Sequence, residues 1–474
     1  MGRRLILVAV AVCVLALQAA VGALAAGFTK TDYTLPMDDG VAIAATLYEP
    51  DGPAPATGWP AIVMFHGLGD SRQDSNALAE TYFASQGYAV FTFDARGHGQ
   101  TGGEITVDGP RELADIKALF AWLTARPEID VKHIGAWGIS YGGGAVWRST
   151  VEGVPWAAIE TVETWTDLYS ALFPQDLSKT GIVLGFIAEA MGHSPLLDSI
   201  RNDAVASTNL PALRALSADR SSISLLGKVK TPAFMLQGRR DFAFDIDQAT
   251  AAYFRLKGPK RLYIGDHGHP PSTFPAADTD YAMTECRLWF DRFLKNEPNG
   301  IDQRPPVEVA TDPWRGKTVS YAGLPPRKAL VFPLPGRRTL EASGKDVRTV
   351  QLPNRPIEEF GAPVVGVTAS TTTGWGHLVA VLEALTPDGK KILVSDGGAA
   401  TPTLSRTPRR ITIKLISDAT LIPAGSRLRV TLSATSLAAD PAYFVHLAGV
   451  APGSRITLGK TTVTVPVLAT PISR

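Results

Sequence analysis

Between about Phe28 and Phe293 the chain alternates short apolar runs with longer stretches whose apolar residues fall at helical spacing. Six short runs read as strands covered on both faces: Ala61–Phe65, Ala89–Phe93, His133–Trp137, Ala157–Val162, Ala233–Leu236 and Arg261–Ile264. Each is apolar without alternation and runs into Gly, Asp or Glu, as expected for a parallel sheet buried under helices. Pro110–Arg126 predicts one such helix, with proline in its first turn. The stretch from about Thr164 to Leu226 breaks the rhythm: it is long, leans helical and falls between two strands. It predicts an inserted cap, with Thr180–Met191 as one of its helices. After Lys295–Gly300 the helical pattern fades into Val/Thr/Leu alternation, as in Arg410–Leu415 and Arg427–Leu432. Short strands with frequent turns predict an all-β sandwich or jelly roll. The expected organisation is an α/β domain over residues 28–300, with its cap at about 164–226, and a β-domain over 304–474.

Composition adds a destination. Met1–Arg4 is a short basic segment, Leu5–Val21 is almost wholly apolar, and Ala23-Leu24-Ala25 supplies small residues for cleavage. Residues 1–25 therefore read as a signal peptide and the protein as exported, secreted or held in the cell envelope. The alternative is an uncleaved N-terminal anchor that tethers it to a membrane. Removing Arg3 and Arg4 takes the formal net charge from +1 to −1. Near-neutrality offers no electrostatic case for nucleic acid or anionic lipid. Once Cys13 leaves with the signal, Cys286 has no partner for an internal disulfide. No Cys/His cluster has metal spacing, so neither a metal nor a cofactor is expected.

The chemistry gathers around Gly138-Ile139-Ser140-Tyr141-Gly142, a G-x-S-x-G pattern. That pattern is short enough to arise by chance, but here a buried strand precedes it and a helix can begin at Tyr141. In that setting it is a nucleophile elbow, the sharp turn that exposes Ser140. A serine hydroxyl needs a base, and chain order narrows eight histidines to His267 and His269, in the loop after the last strand candidate. His133 stands at the start of its strand, at the wrong edge of the sheet, His193 falls in the cap, and His377 and His446 fall in the β-domain. His66 and His98 come before the nucleophile. His269 is preferred because it lies farther along the loop, where it can turn back over the sheet edge. Asp241 follows the preceding strand at tight-loop distance and suits the acid that orients the base. Asp245 and Asp247 compete with it, but their positions are explained by the helix that follows. The oxyanion donors expected are the backbone N–H groups of Leu68, in Phe65-His66-Gly67-Leu68-Gly69, and of Tyr141. The order Ser140, Asp241, His269 is that of an α/β-hydrolase.

These motifs resemble the X-prolyl dipeptidyl aminopeptidase and cocaine esterase (CocE/NonD) group of serine hydrolases. The resemblance rests on the elbow with its following Gly143, on Thr231-Pro232 through Gln237-Gly238 to Asp241, and on Gly265–His269. Pro387-Asp388-Gly389 and Ile422–Leu428 are similar to the group's C-terminal jelly roll. It implies an ester or amide substrate, a small molecule or a short peptide with an Xaa-Pro bond, and it agrees with His269 as base. Several members draw an oxyanion donor from a tyrosine in the first loop, where this chain has His66-Gly67-Leu68-Gly69. Trp165, just past a sheet strand, is read as either a wall of the acyl pocket or an ordinary core tryptophan. A second reading is a non-catalytic binding protein that keeps the fold; an intact Ser140, Asp241 and His269 argues against it.

Overall fold

The computed structural model describes residues 27–190, 194–269, 272, 274–436, 446–470 and 472. The expected signal peptide and His193 lie outside the described residues. Wholly apolar runs can be buried only between two layers of cover, and these runs build the centre of one large sheet. In chain order its strands are β1 (Phe28–Pro36), β2 (Ala42–Pro50), β3 (Trp59–Phe65), β4 (Ala89–Phe93) and β5 (Ile129–Ile139). They continue with β6 (Ala158–Val162), β7 (Ala233–Gly238), β8 (Lys260–Gly265), β9 (Val307–Ala310) and β10 (Thr318–Tyr321). Their spatial order is β1-β2-β4-β3-β5-β6-β7-β8-β9-β10, parallel from β4 to β9 and antiparallel at both margins.

Helices cover both faces. On one side α1 (Pro110–Thr124) and α2 (Tyr141–Val151) bury Ile116, Leu119, Val146 and Trp147 against Val63, Ala136 and Ile159 of the strands. On the other, the helix Ala276–Leu294 buries Cys286, Trp289 and Phe290 against Trp137 and Phe234. Strand β5 begins earlier than expected and holds His133 within it, where His133 Nδ1 lies 2.8 Å from Asp130 Oδ2. An irregularity in register between Trp59 and Ala61 of β3 accommodates the longer strand.

Four helices lie between β6 and β7: α3 (Leu168–Leu172), α4 (Thr180–Ala190), α5 (Pro195–Ala206) and α6 (Leu210–Ala218). They share an apolar core with Tyr141, Trp165 and Phe244. Two longer helices of the sheet domain are α7 (Ile246–Arg255) and α8, the helix Ala276–Leu294 introduced above. None of the described helices is long and apolar enough to cross a membrane.

The change of architecture falls later than residue 304. Val307–Ala310 and Thr318–Tyr321 first extend the large sheet, because the apolar edge of β8 is open until β9 pairs with it. From Arg327 onward every pairing is antiparallel. Among the described residues, seven strands form the sheet that holds Arg455–Leu468, and four the sheet that holds His377–Leu385 and Arg427–Ser433. The two sheets bury a common core that includes Val365, Leu382, Val430 and Val463.

This region is fastened to the large sheet by a buried ion pair. Arg239, just after β7, lies 2.6 Å from Glu358, and both side chains are 0% exposed. Arg239 also donates to the carbonyls of Ala310 and Ala419, which satisfies a charge that would be costly in so dry a place. Glu358→Ala strands that guanidinium without its carboxylate. Denaturant unfolding followed by fluorescence should show a loss of about 3–5 kcal/mol; an unchanged midpoint would mean that the pair does not fasten the two regions.

Candidate active site

The chain passes from β5 to α2 through Ser140, which takes φ 52 and ψ −115. Only close backbone packing can hold a serine there. A Cβ at Gly138 would overlap Gly142 carbonyl oxygen, and one at Gly142 would overlap Phe65 and His66 carbonyl oxygens. The glycines are therefore needed for the approach of backbone to backbone. Ser140 N–H donates to Val162 carbonyl at 2.8 Å, and Thr164 Oγ1 donates to Ser140 carbonyl at 2.6 Å, so β6 holds the turn from its other side.

The structure brings Ser140, His269 and Asp241 together. Ser140 Oγ lies 3.1 Å from His269 Nε2, and His269 Nδ1 lies 3.3 Å from Asp241 Oδ1. Asp241 is fully buried, and three donors fix its plane. Ala243 and Phe244 N–H reach Oδ1 at 3.0 and 2.8 Å, and the Gln237 amide reaches Oδ2 at 2.9 Å. With Oδ1 so engaged, His269 Nδ1 stands in contact with it but completes no hydrogen bond. Phe242 and Phe244 set their rings edge-on to the imidazole at 6.3 and 5.3 Å between centroids.

His267 faces elsewhere: its Nδ1 lies 2.9 Å from Asp278 Oδ2, and its ring stacks on Phe274. Asp245 precedes α7 and accepts from Ser417 N–H, while Asp247 pairs with Lys414. His66 is a scaffold residue. Its Nε2 accepts from Ala95 N–H and its Nδ1 donates to Gly67 carbonyl, and burial depresses its pKa to about 4. It thus steadies the loop that carries Leu68.

Leu68 and Ser140 open onto one cavity of about 510 Å³, whose apolar wall also includes Ile139, Ile182, Phe186, Phe242 and Leu447. Asp70 is the carboxylate on that wall among the described residues. Trp165 is not part of the lining: its indole donates to Arg220 carbonyl at 2.8 Å, and its ring backs Phe186 and Phe244. Gly144 leaves room for that ring, which makes Trp165 a core residue one layer behind the pocket.

Three contributors were not legible in the sequence. Glu163, the residue after β6, turns its carboxyl toward His269, with Oε2 3.9 Å from Nδ1. Burial first, then the charges of Asp241 and Asp278, raise its pKa well above the usual carboxylate range. Glu163, Asp241 and His269 have the spacing of a metal site as well. However, Nε2 of that histidine is turned to Ser140, and Asp241 is occupied by N–H donors. Lys179 donates from beside α4 to Phe242 and Ala243 carbonyls at 2.9 and 3.1 Å, bracing the loop that holds Asp241. Leu447 reaches the cavity from the antiparallel region, where its N–H donates to Thr180 Oγ1 at 2.6 Å.

Residues 39–199 match the X-Pro dipeptidyl-peptidase (S15) family. The cocaine esterase of a Rhodococcus strain is 25% identical over 348 residues, which is 60% of this chain and 58% of the esterase. A CocE/NonD family hydrolase from Staphylococcus aureus superposes with a TM-score of 0.72 at 15% identity, covering 93% of this chain and 94% of that one. The chain is thus similar to the S15 and cocaine esterase group of serine hydrolases. An α-amino acid ester hydrolase shares the fold as well, with a TM-score of 0.69 at 15% identity and coverage of 94% and 98%. Such remote structures speak for the fold; the esterase match spans little more than half of that enzyme's length.

Gly142→Ala tests the turn at the centre of the site. A methyl there meets the backbone of Phe65 and His66, so the variant should lose soluble folded protein, read as yield and thermal melting. Wild-type yield and melting would show that the packing around Ser140 can yield.

Proposed function

We propose that this chain hydrolyses an ester or amide through an acyl-enzyme on Ser140, with His269 as base and Asp241 as its orienting acid. The 3.1 Å approach of Ser140 Oγ to His269 Nε2, at the tip of a strained strand-to-helix turn, carries this reading. The hydroxyl adds to the substrate carbonyl as its proton passes to Nε2. The oxyanion so formed accepts from the backbone N–H groups of Leu68 and Tyr141. The latter opens α2, where a helix N-terminus favours negative charge. Collapse sends the proton to the leaving group, and water, deprotonated by the same nitrogen, releases the acid. The S15 relatives support the same reaction class.

The helices between β6 and β7 act as a cap, and the antiparallel region, from Arg327 to the end, acts as a jelly-roll domain that lends Leu447 to the pocket. Residues 1–25 direct export. The apolar wall favours an ester with an aliphatic or aromatic acyl group.

A fluorophosphonate probe should label wild type at Ser140 and leave Ser140→Ala unmodified. That variant should lose at least about 10⁴-fold in kcat/KM. Folded wild type that takes up no label would contradict the reading. On substrates, kcat/KM for p-nitrophenyl butyrate should exceed that for Ala-Pro p-nitroanilide by more than their intrinsic reactivities; the reverse order would make the protein a peptidase.

A further inference from the structure

Glu163 is the buried group of this site that the reaction above leaves without a task. It adopts φ 45, a left-handed conformation that is strained for a residue with a Cβ. Its side chain is fully buried, and neither carboxyl oxygen has a hydrogen-bond partner among the described residues. The surroundings are nevertheless shaped for it: a Cβ at Gly238 would meet Glu163 Oε1, and one at Gly265 would meet the ring of His267. Two histidines flank the carboxyl. Oε2 is 3.9 Å from His269 Nδ1, and Oε1 is 3.4 Å from His267 Nε2. Beyond His267 stands Asp278, 2.9 Å from Nδ1, which in turn accepts from the Tyr263 hydroxyl.

The charges facing Glu163 are Asp241 from the loop after β7, His267 and His269 from the loop after β8, and Asp278 from α8. Two carboxylates this close in a dry pocket cannot both stay ionised without a cation between them. Asp241 has three N–H donors and Glu163 has none, so the resting proton sits on Glu163. With Nδ1–H of His267 committed to Asp278, the lone pair within reach of that proton is His267 Nε2. When His269 takes the serine proton, a cation appears beside Glu163 Oε2 and the balance reverses.

Resting on the hydrolase reading, we propose that Glu163 is a positioning residue for His269. As His269 becomes an imidazolium, Glu163 passes its proton to His267 Nε2 and meets the new cation as a carboxylate. The O–H bond of Glu163 breaks and an N–H bond forms on His267, whose positive charge lies against Asp278. When His269 protonates the leaving group, the proton returns to Glu163, and none leaves the site. Asp241 and Glu163 thus share the support of one imidazole.

A double-mutant cycle in kcat/KM on a nitrophenyl ester, measured across pH, tests this. Glu163→Gln alone should reduce kcat/KM about 3–10-fold and, by weakening the imidazolium, move the acid limb of the profile to lower pH. Asp241→Asn alone should cost about 10²–10³-fold, and the double variant at least about tenfold more than the product of the single losses. His267→Gln removes the proton acceptor and leaves Glu163 in place; it should move the acid limb the same way, which covers the case in which Glu163→Gln fails to fold. Multiplicative losses with an unmoved limb would reduce Glu163 to a packing role and overturn the proposal. Wild type that neither labels at Ser140 nor turns over ester would instead overturn the hydrolase reading and this proposal with it.

Discussion

The site depends on one unfavourable backbone conformation, that of Ser140 at φ 52 and ψ −115. Left to itself such a residue would relax at a gain of about 1–3 kcal/mol. It is prevented from doing so by contacts on three sides: the backbone carbonyls of Phe65 and His66 against Gly142, the carbonyl of Val162 on Ser140 N–H, and the Thr164 hydroxyl on the serine carbonyl. Because these groups belong to β3, β6 and the start of α2, the strain is borne by the whole middle of the sheet. The same packing sets the first loop beside Ser140 and aims a helix N-terminus at it.

Asp241 and His269 are placed by a related device. Parallel strands β7 and β8 end in register, with Gly238 opposite Gly265, so their loops leave the sheet together and bond to each other: Arg239 N–H to Gly265 carbonyl and Arg240 N–H to His267 carbonyl. Rigid strands thereby deliver Asp241 and His269 to one point. Lys179 braces the acid loop from the helical side, and Arg239 ties its root to Glu358 of the antiparallel region. Segments as far apart in the chain as Lys179 and Glu358 therefore share responsibility for a few ångströms around His269. The antiparallel region is part of this structure, and its Leu447 closes the apolar wall.

What was legible in the sequence was what local chemistry determines. Ala89–Phe93 forms a strand over those very residues, and the strand, glycine and acid of Ala233–Asp241 appear as read, because apolar runs and turn residues act over a few positions. Strands β9 and β10 were assigned to the wrong region, since nothing in Val307–Tyr321 says which of two sheets has the open edge. Trp165 stands one layer behind the pocket, and a tryptophan after a strand looks the same in either place. Nothing in the local pattern around Glu163 distinguishes it from any polar residue that follows a strand. Its meaning depends on Gly238, Gly265, His267 and Asp278, which reach it from three other elements. Lys179 and Leu447 gain their roles in the same non-local way.

The central claim is that this backbone strain exists to present a nucleophile that becomes acylated. Rapid mixing with p-nitrophenyl butyrate, quenching in acid and mass spectrometry of the peptide containing Ser140 tests it most directly. A butyryl adduct on Ser140, formed with a burst of one equivalent of nitrophenolate and absent from Ser140→Ala, is the predicted result. Steady ester turnover by Ser140→Ala at the wild-type rate, or an adduct confined to another residue, would contradict the account.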